Sequence, residues 1–124
     1  MAVTIGDYAL FAGGKYLGES VRSVSSFNTS LTQGFVDTLC KPRWELAGTA
    51  LGDYAMFGGG WAFDIIITDT TDLYDKSLTH SMGPLFSTAR QGLAAATVGN
   101  YALFGGGKDM NSSYSNSVDV YTIE

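Results

Sequence analysis

The chain has 124 residues, a net charge of −5, and 45 % hydrophobic against 15 % charged residues. This composition can build the core of one ordinary domain, so a disordered protein is excluded. The seven Lys and Arg residues form no basic patch, and no apolar run approaches the roughly 18 residues that span a bilayer, so we expect neither nucleic acid nor a membrane as partner. The single Cys40 and an N-terminus without signal-peptide features slightly favour a cytoplasmic location.

A nine-residue segment of Gly, Asp or Asn, Tyr, Ala, an aliphatic residue, Phe and three small residues occurs three times. It begins at Gly6, Gly52 and Gly99. Other markers share a period of 47 residues: the aromatic residues Phe27, Tyr74 and Tyr121, the Ser-Leu-Thr segments at Ser30 and Ser77, and the pair Arg43 and Arg90. Such periodicity indicates a repeat architecture. We divide the single domain, residues 1–124, into repeats of about 1–46, 47–93 and an incomplete 94–124.

Each repeat predicts four short strands, a to d. Strand a is predicted at Val3–Ile5, Thr49–Leu51 and Ala95–Val98. Strand b is the Tyr-Ala-Leu/Met-Phe run, which a Gly-Asp or Gly-Asn hairpin turn precedes. Strand c ends at the aromatic marker, and strand d starts near Leu31 and Leu78. Since the third repeat stops before strand d, we expect about eleven strands and little helix.

Strand b is apolar on both of its faces, which indicates that neighbouring sheets cover both. The predicted core between repeats consists of Phe11, Phe57 and Phe104 with Leu10, Met56 and Leu103. Glycines at the end of strand b indicate a place where backbone segments crowd together.

The glycine triplet after Tyr-Ala-Leu-Phe, the later Ser117-Val118-Asp119-Val120-Tyr121 and the arginine before the next repeat resemble the kelch motif over essentially the whole chain. The version resembles kelch-type repeat proteins of bacterial and phage genomes. The resemblance implies an all-β chain of kelch-like β-propeller blades: two complete four-stranded blades plus a third lacking its outer strand, a half-propeller. Three positions depart from the pattern: Ala12, Phe27 and Thr71. WD40 blades are the runner-up, but their Gly-His and Trp-Asp pairs are missing.

Propellers have 4–8 blades, so three blades leave two apolar faces open. We expect a homodimer that closes a six-bladed ring. The alternative is that the chain is a piece of a longer kelch protein.

Chemistry-bearing motifs are scarce, and we expect no cofactor and no metal. Lys108 follows three glycines, but Asp109 replaces the Ser or Thr of a phosphate loop and no helix follows. His80, the only histidine, is expected in the link after strand d, where it cannot form a zinc or copper site alone. Four aspartates lack calcium-loop spacing and predict turns or surface charge. They are Asp64, Asp69, Asp72 and Asp75.

The repeats differ most between strands b and c. In an up-and-down blade, the b–c loops and the d–a links emerge on one side, so we predict a binding surface there. Its candidate residues are Tyr16, Arg43, Trp44, Trp61, Phe63, Asp64, Arg90, Asp109 and Met110. For the two arginines, a structural role on the neighbouring blade is favoured over ligand contact. Packing of Trp61 and Phe63 onto blade edges is an equal alternative to binding.

We therefore predict a non-enzymatic module that binds an unknown protein or glycan. The alternative is a sugar-acting propeller enzyme of the sialate-mutarotase type. One histidine and the lack of a repeated carboxylate pair argue against an enzyme.

Overall fold

The computed structural model describes residues 1–123, in which all regular secondary structure is β-strand. The strands are β1 (Ala2–Ile5), β2 (Tyr8–Ala12), β3 (Lys15–Tyr16), β4 (Glu19–Ser20), β5 (Ser23–Phe27), β6 (Gln33–Thr38), β7 (Arg43–Trp44), β8 (Ala47–Leu51), β9 (Tyr54–Gly58), β10 (Trp61–Ala62), β11 (Ile66–Ile67), β12 (Thr71–Tyr74), β13 (His80–Met82), β14 (Ala94–Val98), β15 (Tyr101–Gly105) and β16 (Val118–Thr122). The all-β prediction is confirmed. No helix in the described part of the chain is long and apolar enough to cross a membrane.

Eleven of these strands form three antiparallel sheets, one for each repeat. Sheet 1 has the order β1-β2-β5-β6, sheet 2 the order β8-β9-β12-β13, and sheet 3 the order β14-β15-β16. Each sheet is an antiparallel meander of the longer strands of one repeat, as the four-strand pattern predicts. The five remaining strands are two residues long and were not predicted; they form the hairpin β3-β4 and the small sheet β7-β10-β11.

The outermost strands of sheets 1 and 2 begin two residues later than predicted, at Gln33 and His80. Leu31 and Leu78 lie instead in turns, where their φ angles are 60° and 63°. The carboxamide of Asn28 holds the first turn by accepting the N–H groups of Ser30 and Thr32, each at 3.0 Å. The carboxylate of Asp75 does the same in the second. The prediction that His80 lies after strand d is therefore wrong, since it opens β13.

The three sheets stack in chain order with one apolar layer between each pair. Between sheets 1 and 2 the layer includes Leu10, Val24, Leu39, Phe57 and Tyr74. Between sheets 2 and 3 it includes Met56, Phe86, Leu93, Ala102 and Phe104. Leu39, Phe86 and Leu93 come from the links between sheets, residues 39–46 and 83–93, so the links contribute to both layers.

Two members of the predicted core lie outside these layers. Phe11 is 51 % exposed, and Leu103 is only half-buried. Both project from the outer faces of the stack, Phe11 from sheet 1 and Leu103 from sheet 3, where the described chain provides no cover. The other four predicted core residues, Leu10, Met56, Phe57 and Phe104, are completely buried.

Glycines at the end of strand b mark backbone crowding, as predicted. A Cβ on Gly59 would lie 2.7 Å from the carbonyl oxygen of Arg90, and one on Gly60 would lie 2.5 Å from that of Trp44. Both distances are shorter than carbon–oxygen contacts allow. The amide of Gly60 also donates a 2.8 Å hydrogen bond to the Arg90 carbonyl. The links therefore pass directly against the ends of the second strand of each sheet.

Candidate functional site

One buried arginine fastens each of the two links to the sheet that follows it. Arg43 is completely buried, donates to the Thr70 carbonyl at 2.9 Å and forms an ion pair with Asp72. We call this set of contacts, and its equivalent 47 residues on, an arginine bridge. Because its guanidinium is buried, Arg43 cannot contact a ligand at the surface, and its assignment to the binding surface is corrected to a structural role. Asp72 is likewise buried rather than a turn or surface charge.

The second arginine bridge repeats this geometry between sheets 2 and 3. Arg90 is completely buried, donates to the Ser117 carbonyl at 2.8 Å and pairs with Asp119. It also lies 5.4 Å from the ring of Phe86. The favoured structural interpretation of the two repeated arginines therefore applies to Arg90 too, and Arg90 is removed from the candidate binding residues.

Asp72 also joins the chain's only histidine and only cysteine. One carboxylate oxygen accepts the Cys40 amide at 2.9 Å and lies 2.6 Å from Nε2 of His80. Burial raises the pKa of the Cys40 thiol, and the charge of Asp72 raises it further. A raised pKa keeps a thiol protonated and therefore less nucleophilic than a free one. Within residues 1–123, no group of three or more His, Cys, Asp or Glu side chains is arranged to hold a metal ion.

On the side where the links and hairpins emerge, three side chains form a stack. Strands β7 and β10 place Trp44 opposite Trp61, and their rings stack at 6.3 Å with an angle of 16° between planes. Nζ of Lys15 lies 3.9 Å from the centre of the Trp44 ring, a cation–π geometry. Both tryptophans are half-buried and Lys15 is exposed. We refer to Lys15, Trp44 and Trp61 as the tryptophan stack.

Asp64 joins the neighbouring hairpins beside the tryptophan stack. Its carboxylate accepts hydrogen bonds from the amide and the hydroxyl of Ser20, at 3.0 and 3.2 Å, and lies 4.0 Å from Nζ of Lys15. The Ser20 amide is the main reason that the pKa of Asp64 lies below its usual range. Phe63 and Asp64 both have left-handed backbone conformations, with φ of 53° and 61°, and Phe63 is exposed at the hairpin tip.

The remaining candidates lie in the first and third b–c segments. Tyr16 is exposed at the end of the β3-β4 hairpin. Asp109 is a turn residue, because its carboxylate accepts the amides of Asn111 and Ser113 at 2.9 and 3.0 Å. The sulfur of Met110 lies 3.2 Å from the Ile67 amide, so the third segment contacts the second.

Sequence reasoning missed a polar cleft of about 360 Å³ beside the links. Its lining residues are Glu45, Gln91, Gly92, Gly107, Lys108 and Tyr114. Glu45 has a left-handed φ of 55°, a conformation costly for a non-glycine residue. The equivalent position 47 residues on is Gly92, with a φ of 64°. The presence of glutamate at a position where the next repeat has glycine is the signal by which the sequence could have indicated this site.

Comparisons with known proteins identify the fold only. No protein-family model and no curated protein matches the chain. A solved structure described as "Structure of YjhT" matches with a TM-score of 0.85 at 14 % sequence identity. The match covers 99 % of this chain and 42 % of that chain, so this protein spans less than half the length of the one it resembles.

Proposed function

We propose that the three sheets are kelch-like propeller blades and that the chain is a non-enzymatic module that binds a protein or a glycan. Three findings support the blade assignment. The four-stranded meanders follow the 47-residue repeat, the arginine bridges recur between neighbouring sheets, and the fold matches YjhT with a TM-score of 0.85. A binding module needs only a preorganised surface, and fold alone does not determine its ligand.

The observation that carries the binding role is the tryptophan stack with Asp64 at its edge. Trp44 and Trp61 are ordered by their strand pairing and by Lys15, while part of each ring stays accessible to solvent. Aromatic residues held in this way lose little conformational freedom on binding and are enriched among binding hot spots. Asp64, fixed by Ser20, adds a carboxylate that can accept hydrogen bonds from a sugar hydroxyl or a peptide amide.

A second candidate is the sugar-acting propeller enzyme, and the cleft around Glu45 favours it. The carboxylate of Glu45 and the ammonium of Lys108 line the same cleft, with the Tyr114 ring 4.8 Å from Nζ of Lys108. A carboxylate and an ammonium can act as base and acid in proton transfer on a sugar, and an aromatic ring can pack against the sugar. Glu45→Gln would remove turnover in the enzyme and leave binding by the tryptophan stack intact.

The test is a glycan array probed with the wild-type protein, with Trp61→Ala and with Ile65→Ala as the matched control. Ile65 is exposed at the tip of the same hairpin and lies outside the tryptophan stack. We expect Trp61→Ala to lose binding at least tenfold and Ile65→Ala to retain it. Equal binding by Trp61→Ala, or turnover of free sugars that Glu45→Gln abolishes, contradicts the binding-module proposal.

A further inference from the structure

The outer faces of the three-sheet stack are both apolar and exposed. On sheet 1, the edge of the Phe11 ring meets Phe27 at 5.9 Å, and Phe35 is 69 % exposed beside them. On sheet 3, Leu103 is accompanied by a set of exposed apolar residues on the same face. These are Ala94, Ala96, Val98, Tyr101, Val118 and Val120.

Each outer face is the repeat equivalent of a face that the chain itself covers. Phe11 and Phe27 correspond to Phe57 and Tyr74, which are buried against sheet 1. In the other direction, Leu103 corresponds to Leu10 and Met56, which are completely buried against the next sheet. Leu10 and Met56 each lie on a face that packs against the aromatic residues of the next sheet. The outer face of sheet 3 has the equivalent Leu103, and the outer face of sheet 1 has the equivalent aromatic residues, so the two faces are complementary.

The outer face of sheet 1 differs from its covered equivalents at two positions. Where sheets 2 and 3 have Asp72 and Asp119 for the arginine bridges, sheet 1 has Ser25. Ser25 lies between Phe11 and Phe35 on neighbouring strands.

The second position is occupied by Phe27, where sheets 2 and 3 have Tyr74 and Tyr121. Both tyrosines donate hydrogen bonds to the preceding link or strand. Sheet 1 therefore lacks both the carboxylate and the phenol that bind a neighbouring segment in sheets 2 and 3. Its outer face is suited to pack against a sheet that provides no arginine. The outer face of sheet 3 provides none, because Arg43 and Arg90 are bound in their bridges and Arg22 donates to the carbonyls of Leu39 and Cys40.

We propose that the outer face of sheet 1 binds the outer face of sheet 3 on a second copy of this chain, without an arginine bridge. Two copies related by a two-fold axis make two such contacts and close a ring of six sheets. The ring rests on the proposed blade arrangement. The experiment that follows measures only the mass in solution. Its result is therefore independent of whether the tryptophan stack binds a glycan.

The test introduces the missing carboxylate as Ser25→Asp and measures mass by light scattering over a concentration series. The wild type should be a dimer of about 26 kDa, twice the 13.2 kDa of one chain. In the dimer the new carboxylate would be buried between phenylalanines without an arginine, so we expect the dissociation constant to rise at least about 100-fold. In a single copy the position is partly open to water, and an unchanged circular dichroism spectrum should show that Ser25→Asp folds.

A second variant, Val118→Asp, places a charge on the other side of the same contact. It should also give monomers, because the new carboxylate would be buried against the aromatic face of sheet 1 on the second copy. Ile65→Asp, at a hairpin tip of the middle repeat, should remain dimeric. A monomeric wild type, a dimeric Ser25→Asp or Val118→Asp, or open assemblies larger than a dimer would each overturn the proposal.

Discussion

The hydroxyl of Tyr74 donates a 2.7 Å hydrogen bond to the carbonyl of Thr38, at the end of the last strand of the preceding sheet. The same bond recurs between Tyr121 and the carbonyl of Leu85, at 2.9 Å. Each pair is separated by 36 residues, so one tyrosine in each of the second and third repeats fixes where the preceding chain segment passes. Tyr74 is completely buried, and its phenol reaches across the boundary between sheets 1 and 2 to this carbonyl.

Tyr74→Phe should lower the free energy of unfolding by about 1 kcal/mol, because it removes one hydrogen bond and leaves a carbonyl without its partner. Urea unfolding followed by circular dichroism measures the change. Tyr121→Phe is the matched control. Its bond is exposed to solvent, so water can replace the phenol and the loss should be smaller. A larger loss in Tyr121→Phe would contradict the prediction.

Arg43→Met should destabilise the protein by about 3–5 kcal/mol, because Asp72 would remain buried without its cation. The control is Lys76→Met, which removes an exposed ion pair with Asp53 at 3.1 Å and should cost less than about 1 kcal/mol. Adding Asp72→Asn to Arg43→Met should recover part of the loss. Equal losses for Arg43→Met and Lys76→Met, from the same urea titrations, would show that the buried bridge does not stabilise the fold.

Phe57→Ala should cost about 3–5 kcal/mol, because the ring is completely buried between sheets 1 and 2. Ile65→Ala, at an exposed hairpin tip, should change stability by less than about 0.5 kcal/mol. Thermal and urea unfolding of the two variants are the measurements. A loss below about 1 kcal/mol for Phe57→Ala would be incompatible with the stacking of these sheets.

Stability should fall as the pH rises above the ordinary tyrosine pKa of about 10. Burial raises the pKa of Tyr121 to about 12 and that of Tyr74 further, so the folded protein keeps protons that the unfolded chain releases. The stabilisation is complete below the ordinary pKa and is lost as the pH climbs towards the raised values. Urea midpoints between pH 8 and 11 test this, and Tyr74→Phe should flatten the decline. A urea midpoint that rises between pH 8 and 11 would contradict the prediction.

The repeat predicted the three sheets because the same local signals recur in every copy. Strand b, its hairpin turn and its closing glycines depend on neighbours within ten residues, and these features are found where expected. The predicted burial of Phe11 is wrong because burial depends on what lies on the far side of the sheet, whereas the apolar pattern of strand b is the same in all three repeats. The late start of β13 at His80 followed from a side-chain hydrogen bond of Asp75 that the pattern does not display.

The candidate site was only partly predictable, for a similar reason. Variation between repeats directs attention to Trp61, and the position of the link directs it to Trp44, but neither shows that their rings stack. Arginine is common both in binding sites and in structural ion pairs, and only the burial of Arg43 and Arg90 decides for the structural role that the sequence favours. Glu45 was missed because a left-handed backbone conformation is visible in a sequence only through its alignment with Gly92.

The position of the arginines within the repeat has a consequence for how such a chain can lengthen in evolution. Arg43 and its acceptors Thr70 and Asp72 lie within one 47-residue stretch, provided that the stretch begins before the arginine. A tandem duplication of one whole 47-residue unit keeps the distance of 29 residues between each arginine and its aspartate, wherever the unit starts. Each added sheet is therefore bonded to its predecessor from the first generation. A duplication of any other length would shift an arginine relative to its aspartate and leave a buried charge without its partner. Such chains are therefore expected to gain and lose sheets in steps of one whole repeat.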